Sequence, residues 1–127
     1  MSSRLFAYGT LMPADAAAVA RQGWTADAVR GRLFDLGPYP GLIDLDASGA
    51  GWVGGYVRSV ESLELEAFDR WEDVDLGAYR RVETTTRDGV RVWVYVYARP
   101  LPPEARGPLP RWRNHLLAQE SNRLSFG

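Results

Sequence analysis

Apolar and polar positions alternate along several short stretches of this chain, and over two others they recur at helical spacing, so the pattern predicts strands interrupted by two helices. Leu5 to Tyr8 is a short buried strand, ending in the turn "YGTLMP". Pro13 suits a first helical position, and "ADAAAVARQG" has helix-forming composition, with Asp15 near its start and Gly23 as its stop. Ala28 to Leu36 is a strand, "GPYPGL" is turn chemistry, and "LIDLD", Leu42 to Asp46, is a further short strand. In "WVGGYVRSV" the Gly54–Gly55 pair suits a bulge or a tight bend. Ser62 is a good N-cap for a helix from Leu63 to Asp73.

After that helix, "YRRVETTTR" and "VRVWVYVYA" flank Asp88–Gly89, the strongest hairpin signal in the chain and one that suits a type I′ turn. In the second arm Val90, Val92, Val94 and Val96 face one way, and Arg91, Trp93, Tyr95 and Tyr97 the other. Pro100 to Pro110 reads as a proline-spaced loop, and "RWRNHLLAQESNRL" as a last, peripheral helix. About six strands, mostly hairpin-linked, with two or three helices predict an α+β domain, either a mixed, strongly curved sheet or a small barrel. Strict strand–helix alternation, which a doubly wound parallel sheet needs, is missing.

Composition changes this picture mainly by exclusion. The 127 residues are one domain's worth, so residues 1–127 are expected to form a single domain. No apolar run approaches the ~20 residues of a membrane helix, and "MSSRLFAYG" lacks a secretory core, which points to the cytoplasm. A net charge of −1 gives no electrostatic case for nucleic acid or an anionic membrane as partner. There is no Cys, and all 15 Lys-or-Arg positions are Arg, so thiol nucleophiles, zinc–thiolate sites and Schiff-base chemistry are excluded. The single His, His115, cannot build a multi-histidine metal site and reads as a solvated helix residue. Any proton carrier is therefore expected to be a carboxylate, helped by Tyr, Ser or Thr.

Among the carboxylates Glu72 stands apart. Leu65, Phe68 and Glu72 follow at spacings of three and four and share a helix face, with Trp71 beside them, whereas Glu66, Asp69 and Asp73 fall on other faces and read as solvated. A carboxylate at the end of an apolar stripe is partly desolvated, which raises its pKa toward a useful range for proton transfer. The same position is also compatible with a structural pairing to Arg80 or Arg81. The "YGTL" turn, for its part, leaves backbone N–H groups that can hold an anion, or serves as a plain connection before a helix.

Together, "YGTL", "YPGL", the helix with "LEAFDRWED", then "YRRVE" and "VWVYVY" resemble the γ-glutamylcyclotransferase-like family, γ-glutamylamine cyclotransferases included, over roughly Leu5 to Ala98. The tail from Arg99 onward carries no mark of the family. The resemblance implies a small mixed β-barrel with peripheral helices. It also implies a metal-free reaction without cofactor, in which the α-amine of a γ-glutamyl substrate attacks its own γ-carbonyl, forming 5-oxoproline and expelling the attached amine. It makes Glu72 the acid and base, and Gly9, Thr10 and Leu11 the glutamyl cradle, with Tyr8 lining the pocket and Tyr79 helping to close it. One departure is Asp73, where many members have Gly after the Glu; a side chain there narrows the loop or repels an anionic substrate. The expelled amine and the oligomeric state are not specified. A non-catalytic small-molecule-binding domain on the same fold, and an amide hydrolase using the same pocket, remain open alternatives.

The other aromatics, Trp24, Trp52, Trp93 and Tyr95, read as packing, with Trp71 and Tyr97 the two aromatic candidates for pocket walls. Asp44 and Asp46 share a strand face in this reading, but two carboxylates are too few ligands for a cation site.

Overall fold

Seven strands and two helices order residues 3–9, 11–72 and 77–112, the parts of the chain that the computed structural model describes. They are β1 (Ser3–Ala7), α1 (Ala16–Gln22), β2 (Thr25–Asp35), β3 (Pro40–Ile43), β4 (Gly51–Val60), α2 (Ser62–Trp71), β5 (Tyr79–Thr85), β6 (Arg91–Tyr97) and β7 (Arg106–Leu109). The strands run in the order β3-β2-β4-β1-β6-β5, with β7 on β2. All neighbours are antiparallel except β1 and β6, which meet in parallel with Leu5 opposite Trp93. The fold is thus α+β, a curled sheet forming a half-barrel with its helices outside, as the pattern predicted.

Curling brings the two ends of the sheet together. The Tyr79 hydroxyl at the start of β5 donates to the Pro40 carbonyl at the start of β3 across 2.7 Å. Gly41 lies so close to Tyr97 that a Cβ there would come within 3.0 Å of the Tyr97 Cβ. Inside the curl, Phe6, Val29, Leu33, Leu42, Val53, Val92 and Val94 make the core, each no more than 1% exposed. The opposite face of β6 packs Tyr95 with Leu5, Val60, Leu65 and Tyr79 beneath α2. Both faces of the Val/aromatic alternation in β6 are therefore used.

Several local expectations are corrected by tertiary context. Gly54 and Gly55 form no bulge, since β4 keeps register with β2 through Asp27↔Gly55 and Ala28↔Gly54. Gly55 makes room instead: a Cβ there would strike the Ala7 carbonyl and sit 2.6 Å from Phe6 Cζ. The Asp88–Gly89 hairpin is not type I′. Only Gly89 takes a positive φ (83°), Gly89 N bonds to Thr86 O, and Thr86 N bonds to Val90 O, which describes a type I turn closed by a glycine bulge. The strand over Leu42 to Asp46 ends at Ile43, because Asp44 and Asp46 both adopt left-handed φ, which Asp tolerates better than most residues. Their carboxylates accept from Arg32 and Thr84 respectively, and among the described residues no group of three or more His, Cys, Asp or Glu could hold a metal ion.

Helix boundaries shift as well. Pro13 precedes α1; Asp15 is its N-cap and accepts from Ala18 N, and Gly23 closes it with φ 72°. Glu61, and not Ser62, caps α2, with its N–H bonded to the Glu64 carboxylate, and the helix ends at Trp71. The proline-spaced loop contains a strand, β7, which pairs with β2 through Leu33↔Leu109. Just beyond it Trp112 is buried in the core, 3% exposed. Arg111 and Trp112, the first two residues of the last predicted helix, are not helical, and the rest of that helix, His115 included, lies outside the described residues.

Candidate active site at the mouth of the curled sheet

Two arginines fasten α2 to the sheet and so decide where its C-terminus points. Arg58 of β4 lies between the Trp24 and Phe68 rings, 5.2 and 5.8 Å from their centroids, and pairs with Glu64 at 2.8 Å. Arg81 of β5 donates to both carboxylate oxygens of Asp69, at 2.7 and 3.1 Å, and stacks 4.5 Å from the Trp93 ring centroid. Tyr95 also donates its hydroxyl to Asp69, at 2.7 Å. Asp69 is therefore not the solvated residue that the helix pattern suggested, and Arg81 is matched to Asp69. Burial works against the charge on Asp69, but the Arg81 and Tyr95 hydrogen bonds and the Arg81 charge outweigh it and hold its pKa below the usual aspartate range.

That depression has a direction in stability. The folded-state pKa lies below the unfolded one, so the contribution is present above about pH 4 and lost as pH falls through the folded value. Asp69→Asn is expected to cost about 1–3 kcal/mol at pH 7, by weakening three charge-assisted bonds, two from Arg81 and one from Tyr95. It is also expected to flatten the fall in melting temperature between about pH 5 and pH 3 that the wild type shows. Thermal melts of the two proteins across that range are the check, and parallel curves would remove Asp69 from this role.

With α2 fixed, Glu72 becomes its half-buried C-cap. It lines a narrow cleft of about 30 Å³ at the sheet's mouth, together with Tyr8, Gly9, Leu11, Tyr39, Pro40, Tyr79 and Tyr95. Chain segments far apart in sequence meet there: the end of β1, the start of β3, the end of α2 and the start of β5. Gly9 fits because a Cβ would come within 2.7 Å of Pro40 Cγ, so the glycine lets the turn after β1 lie against β3. Met12 N bonds to Gly9 O and closes that turn. The turn is not the start of a helix, since α1 begins only at Ala16 behind its own cap.

Of the residues singled out in the sequence, Tyr8, Gly9, Leu11, Glu72 and Tyr79 gather around this one cleft. Thr10 and Asp73 lie outside the described residues. Sequence reasoning missed Tyr39, Pro40 and Tyr95 as walls. Tyr39 and Pro40 stand in the quoted "YPGL", and Tyr95 faces Arg81 across the β5–β6 pair, so the signal for each was present.

Three of the phenols around Glu72, those of Tyr8, Tyr79 and Tyr95, are pushed above the ordinary range and so held neutral. Burial raises the Tyr8 pKa well above its ordinary value, and Tyr79 and Glu72 add to the shift. Burial first, then the Glu72 charge, raises Tyr79; burial and the hydrogen bond to Asp69 raise Tyr95. Tyr8 donates to the Tyr95 carbonyl at 2.6 Å, and Tyr79 to Pro40. These hydroxyls shape the wall and do not serve as bases near neutral pH. Glu72 is the only carboxylate among the described lining residues.

A curled half-barrel with one carboxylate among the phenols of its described mouth is the architecture of a small α+β domain with a cleft at the sheet's open end. The chain belongs to the gamma-glutamyl cyclotransferase, AIG2-like family, whose model matches residues 5–114. The match runs past Ala98 and takes in β7 and Trp112, so the tail is not free of family character as the sequence reading had it. An AIG2-like protein from Mus musculus superposes with a TM-score of 0.69 at 19% identity, over 87% of this chain and 88% of that one. A protein from Arabidopsis thaliana gives 0.64 at 24%, over 98% and 83%. A protein named gamma-glutamyl cyclotransferase gives 0.58 at 17%, over 98% and 87%. None of the curated proteins compared with the chain matches it. No helix among the described residues is long and apolar enough to cross a membrane.

Proposed function

We propose that this protein is a cyclotransferase that releases 5-oxoproline and a free amine from a γ-glutamyl amine or γ-glutamyl amino acid, with Glu72 as its acid and base. The supporting observation is the placement of Glu72, the one carboxylate among the described residues of a cleft in which burial keeps the Tyr8 and Tyr79 phenols protonated. In the reaction the α-amine nitrogen of the glutamyl group bonds to its own γ-carbonyl carbon. The bond from that carbon to the attached nitrogen breaks. The proton lost by the α-amine passes through the Glu72 carboxylate to the leaving nitrogen, so nothing beyond the substrate is consumed. The protein's main task is to hold the glutamyl chain folded on itself, which turns the attack into a step with a large effective concentration. The Tyr8 to Leu11 turn and Pro40 supply the shape for that fold. Backbone N–H groups of the turn are the donors for the carbonyl oxygen as it gains charge.

The test is to incubate the protein with a panel of γ-glutamyl amines and amino acids and to identify the glutamyl product. Release of 5-oxoproline is expected. Release of free glutamate would instead establish a hydrolase in the same cleft.

A further inference from the structure

Beyond the inner cleft lies a second, wider one of about 390 Å³, lined by Leu36, Tyr39, Trp71, Tyr97, Arg99 and Pro102. It shares Tyr39, Glu72 and Tyr79 with the inner cleft, so the two have a common wall at the proposed acid and base. A group expelled from a γ-carbonyl held in the inner cleft has this space before it. Its lining is rich in flat and apolar side chains, and two of them are unusually exposed: Trp71 at 69% and Tyr39 at 52%. Large exposed aromatics cost solvation without return unless something covers them. Trp71, the last residue of α2, lines this outer cleft together with Glu72, so a group against its ring shares the cleft with the proposed acid and base. Tyr97 stands edge-on to Tyr79 at 5.5 Å between centroids, which fixes the opposite wall. Among the described lining residues the only cation is Arg99, and the only anion is Glu72 itself.

We propose that this outer cleft is the subsite for the leaving amine, and that the amine it fits is an aromatic amino acid, its ring against Trp71 and Tyr97 and its carboxylate toward Arg99. The proposal rests on the cyclotransferase reading for the identity of the leaving group. The flat, apolar lining selects the ring, and Arg99, the cation of the described lining, is the partner assigned to a carboxylate beside it.

The probes are γ-glutamyl-phenylalanine, γ-glutamyl-alanine, γ-glutamyl-phenethylamine and the γ-glutamyl isopeptide of the lysine side chain. Two readouts are used: kcat/KM for 5-oxoproline release by wild type, and binding to Glu72→Gln by calorimetry, which needs no turnover. A preference of about 10- to 30-fold for the phenylalanine over the alanine compound is expected, the worth of burying most of a phenyl ring. In Trp71→Ala, which truncates an exposed side chain and leaves the core untouched, that ratio is expected to collapse to about threefold. In Arg99→Gln, KM is expected to rise about fivefold for the phenylalanine compound and to stay level for phenethylamine, which has no carboxylate. Equal binding of the phenylalanine and alanine compounds, or tighter binding of the lysine isopeptide, overturns the proposal, as does failure of all four probes to bind. Equal effects of Arg99→Gln on the two aromatic probes overturn the carboxylate assignment. Binding with the expected preference but no 5-oxoproline from any probe overturns the cyclotransferase reading and leaves the aromatic subsite standing.

Discussion

Replacing Glu72 by Gln is expected to lower the rate of 5-oxoproline release by about 10³-fold, while substrate affinity changes by less than about threefold. The amide keeps the size of the carboxylate and much of its hydrogen bonding, so the helix end and the cleft keep their shape. It cannot take a proton from the α-amine. The neighbouring groups offer no replacement: Tyr8 and Tyr79 are pushed above the ordinary phenol range by burial, and their hydroxyls donate to backbone carbonyls. Single-turnover rates beside calorimetric affinities for the two proteins make the check. A variant that turns over like wild type would remove Glu72 from catalysis. One that fails to bind as well as to react would assign the residue to the architecture of the cleft.

The largest expected effect on stability comes from a methyl group at Gly55. Gly55→Ala places a Cβ against the Ala7 carbonyl and 2.6 Å from Phe6 Cζ, where the neighbours are backbone and a fully packed ring. Neither yields without moving β1, and overpacking of this kind costs about 3 kcal/mol. Because Phe6 and Ala7 also line the inner cleft, the damage is expected to reach activity in the fraction that still folds. Denaturant unfolding of the variant, compared with Gly51→Ala, makes the contrast. A Cβ on Gly51 meets nothing within 4 Å, so that variant should differ little from wild type. Equal stabilities for the two would refute the steric account.

How far the sequence could be read depended on whether a feature was local. The β5–β6 hairpin, the α1 stop at Gly23 and the alternation in β6 are written in neighbouring residues and emerge as expected. Features that depend on a distant partner were misread. Gly54–Gly55 looked like a bend because the ring of Phe6, which needs the space, comes from another strand. Asp69 looked solvated because its partners, Arg81 and Tyr95, lie across the helix–sheet interface. Yet Leu65, Asp69 and Glu72 follow at four and three, so the same spacing that selected Glu72 also put Asp69 on the packed face. β7 was hidden by the prolines around it and by its own Pro108, which lacks a backbone donor and is tolerated there because the strand pairs with β2 off the main path of the sheet. The residues of the candidate site were legible as a set only through the resemblance of their motifs. Periodicity alone offered Glu72 and left its companions unassigned.

The parallel seam between β1 and β6 has a consequence for how the molecule is made. β1 leaves the ribosome before its partner at Trp93, which follows only after α1, β2, β3, β4, α2 and β5 have been synthesised. Until then one edge of Leu5, Phe6 and Ala7 stays unpaired, apolar and available to the wrong neighbour. Pairing over such a distance is entropically late and slow, and it is the step at which aggregation competes with folding. The Tyr8 turn and Tyr95 reach each other only when that seam closes. A nascent chain that stops before β6 therefore lacks the Tyr95 wall of the cleft and the carbonyl that receives the Tyr8 hydroxyl.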